Sequence, residues 1–211
     1  PDELGALATE AGRPVEGLER LAGWPSLVRL ALSAPIGSAP QFLWEEVVAS
    51  LTPDQRDALV ALAALGWGTA RDVALVAGLP EVDLDDLATA VPLLRREDDG
   101  RCSVHALWED AVERLFSEAA SRPARTRALA LLAERGEVRR LGWRALRWRR
   151  GPELALAARH LVRDTFGALP VDTAERWLAD APDDGRDAPD LRLLGLAVRH
   201  TRHLDDEHLD A

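Results

Sequence analysis

Apolar residues recur at helical spacing through nearly every stretch between proline and glycine breaks. Leu4, Leu7 and Ala8 open one short helical run, and Val15, Leu18 and Leu21 follow Pro14 in another. Pro25, in Gly23-Trp24-Pro25, suits the first position of a helix through Leu27, Val28 and Leu32, where a missing N–H costs nothing. The segment from Ser33 to Pro40, with Pro35, Gly37 and Pro40, reads as a linker. Beyond it, Phe42, Leu43, Val47 and Leu51 share one side of a helix, with Glu45 and Glu46 on the other.

Local signatures then become sharper. Thr52-Pro53-Asp54-Gln55 predicts a capping box: the Thr52 hydroxyl accepts an early backbone N–H, Gln55 reaches back, and Pro53 takes the first helical position. That helix runs through Leu59, Leu62 and Ala63 and stops near Gly66. Thr69-Ala70-Arg71-Asp72 repeats the cap for a helix through Val73, Val76 and Ala77, closed at Gly78. A third helix is predicted over Glu81 to Val91, with Leu84, Leu87, Ala88 and Val91 facing inward. After Pro92 the pattern changes: Leu93 to Glu97 and Arg101 to Val104 flank Asp98-Asp99-Gly100, and Asp99-Gly100 predicts a two-residue type I′ turn. Leu107, Trp108, Ala111, Val112, Leu115 and Phe116 mark another helix with a broad apolar stripe. Three helices and a hairpin wing make a winged helix-turn-helix.

From Pro123 onward only helices are predicted, near 123–135, 137–149, 152–167, 172–180 and 189–203, with an exposed loop from Asp180 to Pro189 and a new helix beginning about Leu204. Their pairing interval of roughly 30 to 37 residues lies near that of tetratricopeptide-like solenoids. The expected fold class is therefore all-α: a small helical arm (1–38), a winged helix with one β-hairpin (39–121), and antiparallel helical pairs opening a tetratricopeptide-like array (122–211).

Composition narrows the chemistry. No run of about 18 uninterrupted apolar residues occurs, which argues against a membrane span and for a soluble globular protein, and the single cysteine fits a reducing, cytoplasmic interior. The opening Pro1-Asp2, with no initiator methionine or targeting segment, suggests a piece cut from a longer chain, with an array that continues beyond it. Cys102 is the only cysteine, so an intramolecular disulfide and a cysteine-rich zinc site are excluded, and it reads as a small strand residue. All 26 basic residues are arginine, which removes a P-loop lysine and Schiff-base chemistry. A net charge of -10 discourages non-specific attraction to nucleic acid or anionic lipid and directs attention to protein partners.

Three features carry candidate chemistry. Glu81, Asp83, Asp85 and Asp86 occupy the helix that would enter a DNA major groove, where they would repel phosphates; their position equally suits the positive end of the helix dipole. Arg139, Arg140, Arg144, Arg147, Arg149 and Arg150 interleave with Trp143 and Trp148, as on an RNA or phosphate surface, although buried tryptophans with solvated arginines explain the pattern more simply. His105 sits where the wing returns to the last helix, a place for a cap or for an anion contact. His200 and His203 are spaced i, i+3 without a third ligand nearby, and no nucleophile and base converge, so neither a metal site nor an enzyme is expected.

The order of parts has a precedent. Leu21-Ala-Gly-Trp-Pro-Ser-Leu-Val-Arg-Leu-Ala-Leu32 resembles the Gly-x-Pro helix ending the nucleotide-binding unit of STAND-class ATPases. Residues Phe42 to Arg56 and Ser103-Val-His-Ala-Leu-Trp-Glu-Asp-Ala-Val112 resemble the winged-helix opening and its histidine-containing closing helix. Together they are most similar to large ATP-binding LuxR-type transcriptional regulators of the maltose-regulon-activator kind, in which a helical sensor array follows. The resemblance covers most of the chain. It implies that Pro25 lies against adenine and that His105 contacts ADP phosphate in a resting state. It also implies a signal-coupling middle segment with no cofactor of its own. ATP or ADP would bind the full-length protein, partners would be domains of the same parent chain and an inducer or protein on the array, and DNA would be met only through a C-terminal domain outside this sequence. Related sensors often carry Asp after that histidine; Ala106 stands here, a departure that weakens the implied latch.

Overall fold

Helices of the winged-helix region start where a side chain replaces a missing backbone partner. In the computed structural model, which describes residues 39–164 and 170–209, α1 (Ala39–Ser50) is followed by α2 (Pro53–Leu65). Thr52 Oγ1 accepts the Gln55 N–H at 3.2 Å, and Gln55 Oε1 accepts the Thr52 N–H at 2.9 Å. This satisfies two donors that a helix N-terminus otherwise leaves open. Arg56 closes the other side of the junction, donating to the Val48 and Ala49 carbonyls at the end of α1. Thr69 and Asp72 form the second reciprocal box at the start of α3 (Ala70–Ala77), which ends on left-handed Gly78. The arm 1–38, and Pro25 with it, lies outside the described residues.

The wing differs from expectation in two ways. First, β2 (Leu94–Arg96) and β3 (Cys102–Val104) are joined by a third strand, β1 (Trp67–Gly68), giving an antiparallel sheet of order β1-β3-β2. Trp67 pairs with Ser103 and Gly68 with Cys102, while Leu94 pairs with Val104 and Arg96 with Cys102. Second, the Glu97 N–H bonds the Arg101 carbonyl, leaving Asp98, Asp99 and Gly100 as a three-residue loop. Gly100 alone in that loop has positive φ, +80°, whereas a type I′ turn needs positive φ at both central residues. The Gly100 N–H returns to the Glu97 carbonyl, so the wing turns through a tight bend completed by one left-handed glycine.

Between them lies α4 (Leu84–Ala90), and α5 (Ala106–Leu115) closes the region. The order helix, strand, helix, helix, hairpin is that of a winged helix. Its core gathers Trp44, Leu51, Leu59, Leu62, Val73, Val76, Leu84, Leu87, Val91, Trp108 and Val112, all buried. Trp108 lies edge-on to Trp44 with ring centroids 4.6 Å apart, and its Nε1–H donates to the Pro92 carbonyl at 2.6 Å.

Contacts divide the chain into Pro1–Ser121 and Arg122–Ala211. The helix α6 (Glu118–Glu134) runs across that division. It begins five residues before the predicted start at Pro123, because Ser117 Oγ accepts the Ala120 N–H and initiates the helix earlier. Pro123 therefore sits inside α6 and withholds one ladder N–H. The second unit continues with α7 (Val138–Arg147), α8 (Gly151–Asp164), α9 (Val171–Ala179), α10 (Asp183–Arg186) and α11 (Pro189–Leu209). Short connections turn successive helices back on one another. Leu129, Leu132, Leu141, Leu154, Leu161, Trp177, Leu191 and Leu194 form their common core.

Three glycines set the closest approaches there. The Trp177 indole occupies the space a side chain at Gly142 would need, and the Gly151 and Gly185 backbones meet where neither position has room for a Cβ. Most of 180–189 is exposed as expected, but Ala181, Pro182 and Gly185 within it are buried, the last by the second contact, and the four-residue α10 forms there. Residues to Leu209 likewise belong to α11 rather than starting a new helix. Among the described residues 73% are helical and 5% lie in strands, an all-α fold carrying one small sheet.

Gly142→Ala should destabilise the helical unit by on the order of 2 kcal/mol, because the indole is confined and must shift. Thr69→Ala should cost about 1 kcal/mol through loss of the cap. Urea unfolding measures both; an unchanged midpoint for Gly142→Ala would mean that Trp177 moves aside without penalty.

Candidate functional site

The acidic helix is shorter than predicted and its carboxylates are engaged locally. Asp83 is the N-cap of α4, its Oδ1 accepting the Asp85 and Asp86 N–H groups at 2.9 and 3.0 Å, so Glu81 precedes the helix. Asp85 accepts from Arg96 Nε at 2.7 Å, and the same guanidinium reaches the Gly100 carbonyl at 2.9 Å, tying α4 to the wing. Asp86 accepts from Gln55 Nε2 at 2.8 Å. The caps of α2 and α4 are thus joined through side chains. These backbone hydrogen bonds from Asp86 and Asp85 hold the Asp83 carboxyl below its ordinary range. No basic residue lies within α4, so the surface offered to a phosphate backbone is anionic.

At the far end of the wing, His105 is the N-cap of α5, with Nδ1 accepting the Leu107 N–H at 3.2 Å. An accepting Nδ1 is unprotonated, so in the neutral ring Nε2 carries the proton. The residue is exposed, and its own N–H bonds the Leu93 carbonyl at 3.3 Å. Leu93 has φ of 66°, a left-handed conformation that costs a branched residue about 1 kcal/mol or more. Trp108 holding the Pro92 carbonyl, and His105 holding that of Leu93, brace this turn from two directions. No sequence pattern announces a left-handed leucine.

Cys102 is fully buried in β3, and burial raises its thiol pKa, so it is held away from the reactive thiolate form. On the other side of the winged helix, Leu75 is 55% exposed beside a groove lined by Ala70, Ala74, Leu79, Pro80 and Val82, with Arg71 and Glu81 at its rim.

In the helical unit the arginine-tryptophan run divides. Trp148 is half-buried, with the Arg125 and Arg144 guanidiniums 5.4 and 5.8 Å from its ring centroid. Arg140 pairs with Glu137, and burial lowers its pKa. Arg150 pairs with Glu153. Trp143, expected inside, is instead exposed; its ring stands edge-on to buried Trp177 at 6.4 Å, with the Arg176 guanidinium 5.4 Å away. Arg176 comes from a different helix, so sequence spacing does not disclose its contact. His200 and His203 are exposed on α11, and among the described residues no group of three or more His, Cys, Asp or Glu side chains is arranged to hold a metal. No described helix is long and apolar enough to cross a membrane.

No protein-family model, curated protein or solved structure matches the chain.

Because the folded Asp83 pKa is depressed, its contribution to stability is complete above its ordinary value near 3.8 and is lost as pH falls through the lower folded value. Asp83→Asn keeps an N-cap acceptor without the titrating group. Its urea midpoint should therefore fall less steeply with acidification below about pH 4 than that of the parent. Parallel curves would show that the Asp83 cap does not titrate in the folded state.

Proposed function

We propose that this chain is the regulatory, signal-coupling segment of a transcriptional regulator, in which a winged helix acts as an autoinhibitory joint between a nucleotide-binding core and a helical sensor array. The observation that carries this reading is the anionic third helix of the winged helix, whose carboxylates support the module's own framework. A module of this topology that rejects phosphate backbones is suited to contacts within its parent protein. The resemblance to large ATP-binding LuxR-type regulators supplies the context: the parent binds ATP or ADP, DNA is bound by another domain, and this chain performs no catalysis and works in the cytoplasm.

Within that reading His105 is the latch. The cap turns Nδ1 toward the Leu107 N–H and leaves Nε2 as the ring donor for a phosphate oxygen. Pro25 would lie against adenine. Nucleotide exchange would bias the joint between two positions, which requires contacts that differ between them. Ala106, in place of the aspartate common in related sensors, weakens this latch relative to theirs.

Capping and latching separate by substitution. His105→Asn retains a good N-cap acceptor but lacks the imidazole, whereas His105→Ala loses both. In the full-length parent, both variants should lose ADP retention by about tenfold, the scale of one charge-assisted hydrogen bond, while only His105→Ala lowers the melting temperature. Unchanged ADP retention in both would sink the latch. For the DNA exclusion, fluorescence anisotropy of labelled duplex DNA titrated with this chain at low salt should show no saturable binding; saturation abolished by changes in α4 would reverse it.

A further inference from the structure

The exposed face of α7 is the strongest unassigned surface. Arg139, Trp143 and Arg147 are all exposed and recur every four residues, so they lie in one row, while Leu141, Gly142 and Ala145 face inward. The row is about 12 Å long at 1.5 Å per residue. Arg176, exposed on α9, adds its guanidinium over the central indole. Trp177, on α9 beside Arg176, supports the indole edge-on from within the core. A tryptophan flanked by arginines has the composition in which binding energy concentrates at interfaces.

Charge selects the occupant. Residues 135–150 contain seven arginines against one glutamate, a local excess of six positive charges, whereas the rest of the unit from 122 to 211 has ten arginines against fourteen carboxylates. Screening confines the favourable field to about 8 Å at physiological salt. Carboxylates border the row within the same unit, Asp180 pairing with Arg176 at 3.7 Å and Glu137 with Arg140, so a long phosphate backbone would run onto them, whereas a short acidic segment would not. Two cations separated by an apolar ring at i, i+4, i+8 match a helix presenting acid, apolar and acid residues at the same interval.

We propose that the α7 face, Arg139, Trp143 and Arg147 with Arg176, is a docking surface for an acidic amphipathic helix of a protein partner. The inference stands on the helical unit alone, and its test contains no nucleotide, so its failure and that of the His105 latch are distinguishable. The carboxylates seat on the guanidiniums and the apolar residue covers the indole.

The test titrates the whole 211-residue chain into a fluorescein-labelled alanine-based peptide carrying Glu, Leu and Glu at that spacing, with a Lys-for-Glu peptide and single-stranded oligo-dT as comparators. The Glu peptide should bind saturably and weaken with salt; the Lys peptide should not bind. Arg139→Glu with Arg147→Glu should lower affinity by at least about tenfold and transfer preference to the Lys peptide, a gain that an unfolded variant would not show. Trp143→Ala should weaken binding without removing its salt dependence. Absence of salt-sensitive binding, indifference to the double substitution, or tighter binding of oligo-dT would each overturn the proposal, the last in favour of a nucleic-acid surface.

Discussion

A buried tryptophan demands an apolar socket and an acceptor for its N–H, and in the winged helix Trp108 obtains both. Its ring packs on Trp44 from α1, while Nε1 holds the Pro92 carbonyl at the point where α4 gives way to the wing. That bond stabilises the turn that places Leu93 in the left-handed region, and Leu93 in turn accepts the N–H of His105. The two ends of the hairpin and the start of α5 are therefore set by one side chain. Leaving an indole N–H unpaired in such a core costs about 1–3 kcal/mol, enough to make the Pro92 turn the favoured conformation rather than one of several.

Trp177 does the corresponding packing in the helical unit by different means. Its ring is fully buried and fits only because Gly142 has no side chain, and its Nε1 finds no acceptor. The close approach of α7 and α9 thus outweighs an unpaired donor. A consequence reaches the surface: because Trp177 fills the space beneath α7, Trp143 is turned outward and rests against it edge-on. The exposed indole follows from how the core is filled.

The sequence reveals features stored in neighbouring residues and hides those made by residues far apart. Both capping boxes were readable because donor and acceptor lie three positions apart, and the helix periods because each apolar face repeats several times. Trp67–Gly68 was not, since two residues have no period and become a strand only against β3. Asp99-Gly100 suits two hairpin geometries, and the Glu97–Arg101 pairing decides between them. In α6, proline misled: the Ser117 cap lies outside the apolar run that announces the helix. The segment around Gly185 is exposed as its composition suggests, but the backbone contact with Gly151 that buries Gly185 itself was not legible.

The candidate sites divide along the same line. His105 was legible as a residue at a wing-to-helix junction, and the structure gives that junction a specific chemistry, with Nδ1 committed to the Leu107 N–H and Leu93 strained beside it. The acidic helix was legible as anionic, but its links to Gln55 and Arg96 required the fold. These links make the same carboxylates serve two ends: they join the caps of α2 and α4 to the wing, and they give α4 its negative surface. A substitution that turned α4 basic to restore DNA contact would have to break the Asp85–Arg96 and Asp86–Gln55 bonds and place like charges beside Arg96. The anionic surface of α4 is therefore tied to the contacts that join it to α2 and the wing.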